Sequence, residues 1–95
     1  MIKDFREKEI RNAILNKISP IVKNKRAPHW RGSIYLDNKL ISRVTIPNEH
    51  PRMMHENKSK YIADSLRLNH DQFNELIECT LRGTGYIKIQ REKGY

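Results

Sequence analysis

The stretch from Trp30 to Pro47, WRGSIYLDNKLISRVTIP, decides the fold. In its first half Trp30, Gly32, Ile34 and Leu36 alternate with Arg31, Ser33 and Tyr35. In its second half Leu40, Ser42, Val44 and Ile46 alternate with Ile41, Arg43 and Thr45. A period of two places alternate side chains on opposite faces of a strand, so each half reads as a half-buried strand. Between them stands Asp37-Asn38, two residues that tolerate positive φ and suit the tight turn of a hairpin. Pro47 has no N–H for a ladder and stops the second strand. The stretch predicts an antiparallel hairpin, Trp30 to Leu36 paired with Leu40 to Pro47, that buries Ile34, Leu36, Val44 and Ile46.

Upstream, Asp4 has the chemistry of a helix N-cap, with Glu7 as its capping-box partner. Ile10, Ala13, Ile14 and Ile18 then share one helical face, and Pro20 forces an end. This predicts a helix from Phe5 to Ile18 that packs on the buried face of the hairpin. Residues 20–29 read as a basic linker. Downstream, a polar loop runs from Asn48 to Asn57. A second helix is expected from Lys60 to Leu68, capped by Ser59 or Asn57, with Ile62, Ala63 and Leu66 inward. Asn69 with Gln72 forms a second capping box, opening a helix that buries Phe73, Leu76 and Ile77 and ends near Cys79. The tail reads two ways. Tyr86-Ile87-Lys88-Ile89-Gln90 alternates like a strand, whereas Thr84 and Gly94 bracket a helix, the reading favoured here.

These elements make an α+β domain spanning residues 1–95, in the order α-β-β-α-α before the tail. A short antiparallel sheet carries helices on one face.

The net charge of +8 is uneven. Residues 1–52 hold 12 Lys/Arg against 5 Asp/Glu, and residues 53–95 hold 7 against 6. No acid lies between Glu9 and Asp37, where Arg11, Lys17, Lys23, Lys25, Arg26 and Arg31 all fall. A one-sign stretch raises local potential and attracts phosphate; its plain alternative is a solvated basic surface. Trp30 could stack on a base beside these cations. Nucleic acid, RNA above all, is therefore the expected partner. One cysteine, Cys79, excludes an intrachain disulfide and suits a reducing compartment. No apolar run nears the ~18 residues of a membrane span, the first residues lack a secretory core, and the cytoplasm is expected.

The histidines, His29, His50, His55 and His70, have no zinc-site spacing with Cys79. There is no glycine-rich phosphate loop and no G-x-S-x-G, and no metal or other cofactor is expected. His29 stands apart, lying between Arg26 and Arg31 and next to Trp30. A histidine moves protons near neutral pH, and cations beside it could hold phosphorane charge during metal-free RNA cleavage. The alternative is an exposed histidine at a strand start. The segment Lys60 to Cys79 also fits a DNA-reading helix-turn-helix. Against that, Arg67 stands where the turn usually has glycine, and Asp71, Glu75 and Glu78 load the reading helix with acids. A plain packing hairpin of two helices fits the same pattern.

Taken in order, three stretches resemble the HicA-type toxins, small mRNA interferases with a double-stranded-RNA-binding-like fold. They are KEIRNAIL (8–15), KRAPHW (25–30) leading through the hairpin to RVTIPNEH (43–50), and KYIADSLRLNHDQFNELIE (60–78). The resemblance covers residues 8–78 and implies a third strand, in residues 48–57 or in Tyr86 to Gln90. It implies a metal-independent endoribonuclease in which His29 fills the catalytic position and His50 that of the histidine after the hairpin. Ala27-Pro28 stands where the family has Gly-Ser. In such a site His29 is the general base, Lys25, Arg26, Arg31 and Arg43 grip phosphate, and the protein partner is an antitoxin with an acidic contact surface.

Overall fold

Asp37 and Asn38 both adopt left-handed backbone, with φ of 53° and 65°. This is the type I′ turn whose twist matches that of paired strands. The computed structural model describes residues 2–23, 25–26, 30–78 and 81–95. Along the chain run α1 (Glu7–Ala13), a π-helical turn (Ile14–Ile18), β1 (Ile21–Val22), β2 (Trp30–Leu36), β3 (Lys39–Ile46), α2 (Glu56–Ser65), α3 (His70–Ile77) and α4 (Gly83–Glu92). The hairpin pairs from Trp30↔Ile46 to Leu36↔Lys39. Ile34, Leu36, Val44 and Ile46 are all buried, as the alternation predicts.

One part of that alternation fails. The register shifts between Ile34↔Ser42 and Tyr35↔Leu40, so Ile41 has no partner on β2. This β-bulge turns Ile41 into the core and Leu40 out to solvent, reversing the expected faces at the strand's start.

The third strand lies in neither expected place. It is β1, from within the basic linker, pairing Ile21↔Ser33 and Val22↔Gly32 to give the antiparallel order β1-β2-β3. Two residues are too few to display a period. Its approach requires Gly32, where an added Cβ would lie 2.6 Å from the Cβ of Pro20. Residues 48–55 provide only an isolated bridge, Arg6↔Met53, and Tyr86 to Gln90 is helical.

Helix boundaries differ from expectation where tertiary partners replace local caps. α1 begins at Glu7, and Arg6 N–H donates to Glu9 Oε1 at 3.1 Å. Asp4 does not cap it, because Phe5 is drawn into the core, where its ring meets Phe73 edge-on at 6.2 Å. The N–H groups of Glu7 and Lys8 donate instead to the carbonyls of Arg52 (2.9 Å) and His50 (3.1 Å), so the post-hairpin loop satisfies donors that a helix start leaves open. The π turn closes with Ser19 N–H on Ile14 O and ends on left-handed Ser19 (φ 54°). α2 starts earlier than expected. His55, not Ser59 or Asn57, is its cap, with Nδ1 accepting from Asn57 N–H at 3.2 Å. Ser59 is buried inside the helix. α3 opens as read, with Asn69 Oδ1 accepting from Gln72 N–H at 2.8 Å. α4 is a helix that Gly94 (φ 98°) terminates, but Arg82 rather than Thr84 precedes it.

The inward sides of β2 and β3 share one core with Ile10, Ile14, Ile62, Leu66, Phe73, Leu76 and Tyr86 from the helices. The thinnest dimension, 20 Å, corresponds to one sheet layer and one helix layer. Among the described residues the outward side chains Arg31, Tyr35 and Arg43 are exposed, so the other sheet face is open.

Candidate nucleic-acid interface

On the open face the alternation of β2 presents Arg31, Ser33 and Tyr35, and β3 presents Arg43 and Thr45. Arg31 lies opposite Thr45. Ser33 lies between Ile21 of β1 and Arg43 of β3, and Tyr35 lies opposite Leu40. Arg31 and Arg43 are thus diagonal neighbours, a separation that long side chains bridge readily. Neither has an ion pair among the described residues. Beside them are three exposed apolar side chains, Ile21 at 51%, Tyr35 at 43% and Leu40 at 39%.

Trp30 makes contacts within the fold that its sequence position does not reveal. It heads β2 on the inward side and is half-buried. The guanidinium of Arg11 stands 4.4 Å over its ring centroid, a cation–π contact that ties α1 to the sheet. Its Nε1–H donates to the carbonyl of Lys25 at 3.0 Å. Trp30 therefore anchors the turn that carries Lys25 and Arg26, both exposed. Arg11 also donates to Pro47 O at 3.0 Å, so one side chain clasps both ends of the hairpin.

Of the two candidate catalytic histidines, His29 lies outside the described residues. His50 is exposed on the loop that follows β3. Its carbonyl accepts from Lys8 N–H, which fixes the backbone against α1 and leaves the imidazole to solvent. Ile46, four residues before His50, is the partner of Trp30. Lys25, Arg26 and His50 are thereby tethered through short segments to the Trp30/Ile46 end of the sheet, with Arg31 and Arg43 on its open face.

Helix α3 carries acids instead. The exposed positions of α3 and its C-cap include Asp71, Glu75 and Glu78, with no Lys or Arg on that helix. A duplex phosphate backbone would be repelled there. Among the described residues, no three His, Cys, Asp or Glu side chains converge as metal ligands, and no helix is long and apolar enough to cross a membrane.

Sequence reasoning passed over Tyr35, Ile21 and Leu40 as members of this surface. For Tyr35 the signal was available, an aromatic in the outward register of an alternating strand. For Ile21 and Leu40 it was not, because a two-residue strand and a bulge set their faces. No family model matches this chain, and comparison with curated proteins and with solved structures finds no match to either.

Proposed function

We propose that this protein binds RNA through the open face of its sheet and the basic turn beside it. The observation that carries this reading is the placement of Arg31 and Arg43. They are diagonal on the open face, without acidic partners among the described residues, while the acids Asp71, Glu75 and Glu78 gather on α3 and its C-cap. Lys25 and Arg26, held by the Trp30 hydrogen bond, extend the cationic surface at one end. Phosphates neutralised by such cations release counterions, so binding weakens steeply with salt. Fluorescence anisotropy with a labelled RNA across a salt series tests it. Replacing Lys25 and Arg26 with alanine should weaken binding and lower the log–log slope by roughly one for each phosphate no longer neutralised. Absence of salt-sensitive binding would overturn the reading.

Metal-independent cleavage is a second reading, carried by the HicA-like motifs KRAPHW and RVTIPNEH. In sequence His29 and His50 flank the Trp30/Ile46 pair that closes the sheet end. His29 would take the proton of a ribose 2′-hydroxyl, and the cations would stabilise charge on the phosphorane. An antitoxin with an acidic surface would compete with RNA for the same arginines. DNA reading through α2 and α3 is the weaker alternative, because the acids of α3 oppose it.

A further inference from the structure

We propose that the open sheet face is a stacking platform for single-stranded nucleic acid, with Tyr35 as the side chain on which a base lies. The inference rests on the RNA reading above and narrows its substrate class. A surface that only gripped phosphates would need cations alone, yet this face also holds Tyr35, Ile21 and Leu40. Exposing three large apolar side chains on so small a sheet is unfavourable in water, and it is relieved by a flat apolar ligand. The face selects against a partner segment packing by hydrophobic burial alone, since the ionic side chains in outward register beside Tyr35 are Arg31 and Arg43. A nucleotide strand meets both demands, with its bases presenting π-faces and its phosphates presenting charge.

The spacing fits that division. Along β2 Arg31 and Tyr35 are four residues apart, about 13 Å in an extended strand, which leaves room for a few nucleotides. Between them Ser33 is small and keeps the middle of the face low. The Tyr35 hydroxyl has no hydrogen-bond partner among the described residues, so the ring is not committed to the fold through its polar end. In a duplex the base faces are covered by their neighbours in the stack. A double-stranded ligand would therefore engage the arginines and leave Tyr35 unused.

The test compares a short unstructured RNA, a duplex of the same length, and a strand of the same length with abasic sites, all by anisotropy. Wild-type protein should bind the base-bearing single strand more tightly than either of the others. Tyr35→Ala should weaken binding to the base-bearing strand about tenfold or more. It should leave the abasic strand and the salt slope unchanged. Tyr35→Phe should behave as wild type. Tyr35→Leu keeps apolar bulk without a π-system and guards against a folding defect; it should show most of the loss. Wild-type affinity in both Tyr35→Ala and Tyr35→Leu, or binding of the duplex at least as tight as that of the single strand, would overturn the platform while leaving phosphate-driven RNA binding intact. Loss of all salt-sensitive RNA binding in the wild type would overturn both.

Discussion

Arg67 donates from Nε to the carbonyl oxygen of Ile41 at 2.8 Å, and Ile41 is the residue by which β3 bulges out of register with β2. The bulge leaves a carbonyl without a ladder partner, and the turn between α2 and α3 supplies one. Arg67 is itself left-handed, with φ of 58°. Leu68 N–H donates to Ala63 O and Arg67 N–H to Asp64 O, both at 3.0 Å, the paired bonds that end a helix around a left-handed residue. The Arg67 guanidinium also lies 4.6 Å from the Tyr95 ring centroid.

That geometry predicts the effect of two substitutions at one site. Arg67→Ala keeps the unfavourable φ and loses the bond to Ile41, so stability should fall by about 1–3 kcal/mol. Arg67→Gly loses the same bond but relieves the backbone, and should be about 1 kcal/mol more stable than the alanine variant. Urea denaturation of the two proteins checks the order. An alanine variant as stable as the glycine variant would refute the left-handed turn.

At Gly83 the usual preference of helices for alanine should be reversed. An added Cβ would stand 2.3 Å from the backbone oxygen of Lys17, where α4 meets the π turn. Gly83→Ala should destabilise by about 1–3 kcal/mol through overpacking, instead of stabilising as in an open helix position. Thermal melting of the variant beside Gly85→Ala, whose added Cβ would meet only the Leu81 side chain, distinguishes a backbone clash from a general effect of glycine removal.

Tyr86 gives the fold an alkaline limit. Its hydroxyl donates to Leu66 O at 2.9 Å inside the core, and burial pushes its pKa up to about 12. The unfolded chain therefore releases this proton first. The stability contribution is complete below pH ~10 and is lost as pH rises toward 12, a change of roughly 2–3 kcal/mol. Chemical denaturation at pH 8, 10 and 11 should show this fall in wild type. Tyr86→Phe should be less stable at pH 8 and show a smaller fall.

Asp37 gives a weaker acid dependence. Arg91 donates to both its carboxylate oxygens, at 2.9 and 3.0 Å, and this hydrogen bonding holds the Asp37 pKa below its ordinary value. The pair should help dock α4 on the hairpin turn above pH ~4 and release it as pH falls further. Arg91→Gln should remove that acid dependence of hydrogen exchange in α4 and leave the pH 7 core protected.

The cleavage reading has its own test. His29→Ala should lower RNA cleavage by ~10²–10⁴ while RNA binding persists. Cleavage by the wild type should survive EDTA and leave a cyclic phosphate end. A wild type that binds RNA and never cuts it would favour the non-enzymatic reading, and a His29→Ala protein that cuts normally would shift the role to His50.

The hairpin, its two-residue turn and the capping box of α3 were legible because each is set by neighbours in the chain. Asp37 and Asn38 carry their own tolerance of positive φ, and Asn69 and Gln72 satisfy one another across a single helical turn. The basic character of the linker and the outward position of Arg31 and Arg43 follow from charge and period alone. What the chain's local pattern left open were groups whose partners are distant. The first N–H groups of α1 are met by carbonyls near residue 50, and the carbonyls that follow α2 by Tyr86 and Gln90 of α4. β1 exists because Gly32 lets Pro20 approach, and the bulge at Ile41 because Arg67 donates to its carbonyl. A buried polar group must find a partner somewhere, and when that partner is far along the chain only tertiary packing decides where an element begins, which face it turns inward, and so which side chains the open sheet displays.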